Sequence, residues 1–221
     1  MSHIPLLSIS DFFQAYRLGQ PLHPEIMCMR LEDQPDTKLM AMPLYRSDFF
    51  RVIQFTDAVL TYTTHEKRVS VEGSCLSFSY PGKLESWERE GRLYGTVIYF
   101  SQAFAHLDTT HSGFNQDYPY FTFEGDLILN LDQREAWQLR GQAQEMIKEM
   151  YSDLSDKLSM IEKLLALYLH TIRRLYVQKM GAQPSESKSN QAWFNRFRKA
   201  TEDYFGQLAQ GEQRVILLSP S

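Results

Sequence analysis

Between residues 25 and 123 the apolar positions fall into short runs of β-branched, aromatic and aliphatic residues: EIMCMRLE, FFRVIQFT, AVLTYTTHEKRVSV, SCLSFSY, YGTVIYFS and YFTF. Turn-forming residues punctuate them at 34–36, at Thr56 with Asp57, Glu72 with Gly73, Pro81 with Gly82 and Glu90 with Gly91. Runs of this kind predict many short strands in a sandwich or barrel. Ahead of them ISDFFQAYRL, residues 9–18, predicts a short helix with Ser10 or Asp11 as N-cap, ended by Gly19 and Pro21.

After Leu131 the apolar period becomes helical. DQREAWQLRGQAQEMIKEMYSD aligns Leu139, Ala143, Met146, Ile147 and Met150 on one stripe, with Asp132 at the N-cap position. SDKLSMIEKLLALYLHTIRRLYVQKM follows with Leu158, Ile161, Leu165, Tyr168, Leu169, Ile172, Leu175 and Tyr176 in helical spacing, Leu164 and Leu167 widening the face. Two helices joined by so few residues predict an antiparallel hairpin. GAQPSESKSN, residues 181–190, reads as a flexible linker. QAWFNRFRKATEDYFGQL then resumes a helix, and one helix with a stub cannot bury a core of its own.

Composition narrows the function. The 221 residues are 43% hydrophobic and 23% charged, ordinary for a globular chain, and the net charge of −4 gives no general attraction to nucleic acid, so any DNA contact needs a local patch. MSHIPLLSISDFF has neither a basic start nor a small-residue cleavage site, and no run of about 18 apolar residues occurs, so neither a secretory signal nor a membrane helix is expected and the chain reads as cytoplasmic. Cys28 and Cys75 are far apart and suggest neither a disulfide framework nor a zinc site. There is no G-x-S-x-G elbow and no Gly-rich phosphate loop. No cofactor is expected.

The stretch 43–104 carries a family resemblance. Its P-x-Y-R-x-D-F-F-x-V opening at Pro43, L-x-F-x-x-P-G at 76–82, the Ser86-Trp87 pair and G-T-V-I-Y-F-S-x-x-F at 95–104 together resemble the N-terminal cupin-like domain of AraC-type transcription regulators. The resemblance implies an α+β fold, an antiparallel cupin-like β-barrel of the double-stranded β-helix type followed by a helix hairpin. It further implies an effector-binding barrel over 1–130, a packing and dimerisation hairpin over 131–180, a linker over 181–190, and over 191–221 the start of a helix-turn-helix DNA-binding domain. Since the chain stops after ILLSPS, before a second or third helix, that domain is expected to be truncated, so DNA would be a partner of the full-length protein only. The alternatives are a stand-alone small-molecule-binding cupin without a DNA role and a cupin enzyme. Metal-binding cupins resemble one another in an H-x-H pair with a following Glu and a third His after a P-x-G turn. Here His65 with Glu66 stand alone and Lys83, Leu84 and Glu85 follow the turn, so neither a metal nor an enzyme is expected.

Small-molecule sites are mostly apolar with a few orienting polar groups, and a barrel points every second side chain inward. Arg46, Arg51, Tyr62, Trp87, Tyr94 and Tyr99 are the candidate effector-pocket residues, the two arginines suited to clamp a carboxylate; salt-bridged arginines and packed core aromatics are the plain alternatives. Leu164, Leu167, Tyr168 and Leu175 are candidates for a homodimer seam, against simple packing within the chain. Arg196, Arg198 and Lys199 are candidates for the DNA side, against a solvated face.

Overall fold

The computed structural model describes residue 4 and residues 6–34, 41–64, 68–89, 93–111, 113–122 and 128–180, with the backbone alone described at 41–43, 57–64, 68–72 and 87–89. The linker and the expected helix-turn-helix segment lie outside the described residues. Met1–Lys179 form one compact unit.

Its chain starts with β1 (Leu6–Leu7) and α1 (Ile9–Ala15). The N-cap of α1 is Ser8, not Ser10 or Asp11: its hydroxyl accepts from the Asp11 N–H at 3.2 Å while the Asp11 carboxylate accepts from the Ser8 N–H at 3.2 Å. Such a capping box needs an acid three residues after the cap, which Ser8 has in Asp11. Ile9, Phe12 and Phe13 are the buried side of this helix.

The strands are β2 (Ile26–Arg30), β3 (Ala41–Ser47), β4 (Phe50–Thr64), β5 (Arg68–Ser79), β6 (Glu85–Arg89), β7 (Tyr94–Phe100) and β8 (Ile128–Asn130). Two punctuation marks in the sequence end no strand. Thr56 with Asp57 and Glu72 with Gly73 lie at one place in a continuous antiparallel β4–β5 hairpin, where the register slips between Phe55 and Ala58. One extra residue there makes a β-bulge, which bends the strand; Gly73, opposite Ala58, has a φ of +81°. Before the bulge β4 pairs with β7, which pairs with β2; after it β4 pairs with β6, which pairs with β3. β8 lies along β5, and β1 adds to β3 in parallel. All other pairings are antiparallel, and among the described residues they do not close into a barrel.

The segment read as a strand at YFTF is instead a 3₁₀ turn, Pro119–Phe121, after the short helix α2 (Phe114–Asp117). Pro119 fixes φ and lacks the N–H a ladder needs, and the turn drives Tyr120 and Phe121 into the core.

α3 (Gln133–Met150) starts at Asp132, whose carboxylate and that of Glu135 form a second capping box, and its buried residues are the predicted five. α4 (Lys157–Met180) buries Ile161, Leu165, Tyr168, Leu169, Ile172 and Tyr176. Gln142 Nε2 donates to Thr171 Oγ1 at 3.1 Å and Lys179 meets Glu135 at 2.7 Å, so early α3 lies against late α4 and the pair is an antiparallel hairpin. Among the described residues no helix is long and apolar enough to cross a membrane.

Candidate functional site

Strand geometry gives the sheet formed by β2, β7, β4 and β5 two faces, both buried. Side chains alternate along each strand, so the register Met27–Tyr99–Arg51–Ser79 forms one row and Cys28–Ile98–Val52–Phe78 the next, on the opposite side. The second face is the outer one, beneath the helices. There Phe78 packs 4.7 Å from Tyr120, Phe50 lies 4.8 Å from Phe121, and the Gln54 amide donates to the Ala136 carbonyl of α3 at 2.7 Å.

The first face is the inner one, and α1 lies against it. Phe13 meets the Tyr99 ring at 5.3 Å, and Phe12 meets Tyr45 at 5.4 Å and Phe49 at 5.4 Å. Within this aromatic setting sits a cluster of charge. Glu85, at the first position of β6, is 0% exposed and Arg51 3%. Glu85 Oε2 pairs with Arg51 Nη2 and accepts from the Tyr45 hydroxyl at 2.9 Å; Tyr45 in turn accepts from Arg51 Nη1 at 2.5 Å. Glu85 Oε1 accepts from Ser79 Oγ and lies 3.6 Å from Lys83 Nζ, which also donates to the Phe78 carbonyl at 2.9 Å and sits 5.4 Å from the Tyr80 ring centre. Four donor side chains therefore surround one carboxylate. Ser77, on the same face two residues back along β5, is buried, and among the described residues its hydroxyl has no hydrogen-bond partner.

Burial sets the protonation of the neighbours. It raises the Tyr45 phenol well above its ordinary value, with Arg51 opposing and Glu85 adding to the rise, and lifts Tyr99 to about 12. The half-buried Tyr16 is raised by the same cause, opposed by the charge of Arg51. Lys83 falls from 10.5 to about 8, mainly through burial, against the attraction of Glu85. Folded Lys83 thus holds its proton less firmly than unfolded Lys83. Its burial penalty is full below pH 8 and fades as pH rises to 10.5. Against wild type, Lys83→Met should gain stability as pH falls from 10.5 to 8 and level off below, a change of about 3 kcal/mol. Urea melts of both proteins across that range check it, and a pH-independent difference contradicts it.

Of the sequence-predicted pocket residues the fold brings Arg51 and Tyr99 side by side on the inner face. Arg46 is exposed, because Tyr45 and Ser47 take the buried positions of β3. Tyr94 is 49% exposed at the start of β7. Tyr62 and Trp87 are register partners on β4 and β6, with side chains outside the described residues. On α4, Leu164 and Leu175 are half-buried, Leu167 is 53% exposed, and Tyr168 is wholly buried within the chain's own core. Arg196, Arg198 and Lys199 lie outside the described residues. Sequence reasoning missed Tyr45, Ser79, Lys83 and Glu85; the signal available was a Lys and a Glu directly after a P-G turn flanked by apolar strands.

Both cysteines are buried with thiols pushed up to about 12, which disfavours the nucleophilic thiolate. Among the described residues no three His, Cys, Asp or Glu side chains gather as a metal would require.

No family model matches the chain, and no curated protein matches it. Among solved structures it is similar to an apo form of a ToxT variant from Vibrio cholerae strain SCE256, with TM-score 0.45 and 10% identity over 76% of this chain and 63% of that one. It is similar also to another ToxT structure from Vibrio cholerae, with TM-score 0.40 and 7% identity over 75% and 62% of the respective chains. The chain thus spans less than two thirds of the ToxT length.

Proposed function

We propose that this chain is the effector-sensing and dimerisation region of an AraC-type DNA-binding transcription regulator, and not an enzyme. The observation that carries the reading is the buried Arg51–Glu85–Lys83 cluster on the inner face of a sheet whose outer face is packed by a helix hairpin. A polar site of this cost inside an apolar core suits ligand recognition. The motif order over 43–104 supports the family, with 1–130 as a cupin-like barrel that binds a small-molecule effector and 131–180 as the hairpin. In this reading 181–190 is the linker, and 191–221 begins the domain through which Arg196, Arg198 and Lys199 approach DNA in the full-length, cytoplasmic protein.

For the homodimer, the solvent side of α4 supplies the seam. Met160, Leu167 and Val177 are exposed there, with Leu164 and Leu175 half-buried. Sedimentation of the chain with and without Leu167→Glu, combined with a small-molecule thermal-shift screen, tests the whole reading. A dimer is expected that the substitution converts to a folded monomer, with at least one compound raising Tm in wild type and not in Arg51→Met. A monomeric wild type that no compound stabilises would overturn it.

A further inference from the structure

We infer that Asp156 and Arg174 form a reciprocal ion pair across the homodimer seam, and that this pair sets two α4 helices antiparallel in one register. The inference deepens the dimerisation reading and rests on it. Its starting point is the solvent side of α4, where Asp156, Met160, Lys163, Leu167, His170 and Arg174 are all exposed. These positions alternate four and three residues apart, the seven-residue repeat along which paired helices meet. Asp156 stands just ahead of α4, but its carbonyl accepts from the Met160 N–H at 3.0 Å, so it belongs to the first turn.

The charges on this stripe differ from others on the helix. Glu162 lies 3.4 Å from His106, Arg173 meets Asp117 at 3.3 Å and Lys179 meets Glu135 at 2.7 Å, so these three are matched within the chain. Among the described residues neither Asp156 nor Arg174 has an ion-pair partner. One acid therefore stands at the head of the stripe and one guanidinium near its end, each without a counter-charge.

Charge selects among the ways two copies can pair. In a parallel pair each residue faces its own copy, so Asp156 meets the partner's Asp156 and Arg174 the partner's Arg174, which repel. In the antiparallel register with Asp156 opposite the partner's Arg174, two-fold symmetry makes the ion pair twice, once at each end. The next register toward the C-terminal ends puts Lys163 opposite the partner's Arg174, and the next one the other way leaves Asp156 opposite the partner's Leu167. Of these arrangements the first alone sets opposite charges together. In it Leu167 lies beside the two-fold axis, close to the partner's Leu167 and to the stem of the partner's Lys163; the Lys163 ammonium turns to Ser159 Oγ of its own helix at 3.1 Å. Val177, 43% exposed, reaches the partner's Leu154, 60% exposed ahead of α4. The apolar contacts hold the helices together, and the ion pairs choose their direction.

The test is sedimentation equilibrium of the full chain and of Asp156→Arg, Arg174→Asp and the double exchange. Each single reversal sets like charges together at both ends and should weaken dimerisation about tenfold, a modest loss per pair that symmetry doubles. The double exchange remakes both pairs with their signs reversed and should dimerise as wild type does. An equimolar mixture of the two single variants should recover the dimer for the same reason. Recovery also distinguishes a lost pairing from a damaged fold, since a second substitution does not repair a chain that the first has unfolded. Single reversals that dimerise like wild type, or a double exchange no tighter than the singles, overturn the ion pair. A wild-type dimer indifferent to the reversals sinks the register and spares the dimerisation reading, whereas a monomeric wild type sinks that reading and the register with it.

Discussion

Glu85→Ala should lower the stability of the chain by about 3–5 kcal/mol, the loss typical of removing one partner from a buried ion pair. The side chain is wholly buried, and its two oxygens are shared by Arg51, Tyr45, Ser79 and Lys83, so the substitution strips a common acceptor from four donors at once. Glu85→Gln keeps an acceptor oxygen at the site and should cost less, about 1–3 kcal/mol. Urea unfolding reads both, and a true stability loss shifts the midpoint with the slope unchanged. The order of the two variants is informative: a glutamine as harmful as an alanine would mean that charge alone, and not the hydrogen-bonded shape, holds the cluster.

A second large effect is expected at Gly95, where β7 runs beside β4 in register with Phe55. A Cβ on Gly95 would lie 1.9 Å from the Gln54 carbonyl oxygen, and its φ of +138° belongs to a region L side chains rarely adopt. Backbone strain of about 1–3 kcal/mol and overlap of a similar size combine in Gly95→Ala, for a loss of about 3 kcal/mol or more. Thermal unfolding gives the total. Amide exchange gives the location, since the Leu31 N–H donates to the Gly95 carbonyl at 2.9 Å and should exchange faster in the variant. Gly73→Ala is the control: it carries a positive φ, but among the described residues no atom lies within 4 Å of the added methyl, so it should cost about 1 kcal/mol. A Gly95 variant no worse than the Gly73 variant would contradict the close approach of the two strands.

The helical half of the molecule was legible because one period governs it. Leu139, Ala143, Met146, Ile147 and Met150 share a stripe whatever they pack against, and Asp132 announces the first turn locally. The strands were legible as runs but not as units, since Thr56, Asp57, Glu72 and Gly73 look like the ends of strands and in fact sit together at one bend of a hairpin. Parity failed for the same kind of reason. β3 is irregular between Met42 and Tyr45, and counting from Pro43 gives no warning that Tyr45 turns inward and Arg46 outward. Glu85 and Lys83 were hidden because charged residues next to a P-G turn ordinarily belong to solvent, and only the register of β6 and β5 around Arg51 makes them interior. Arg51 and Tyr99 were found because each lies in a plainly apolar strand where a polar atom stands out.

Arg51 and Gln54 are three residues apart on β4 and therefore project from opposite faces of the same strand, one into the charged cluster and the other to the Ala136 carbonyl in the first turn of α3. Mechanically, β4 is a crank: a roll about its own axis that swings Arg51 one way swings Gln54 the other. The inner cluster and the helix hairpin cannot shift independently while that hydrogen bond holds, which ties whatever happens at one face of the sheet to the layer on its far side.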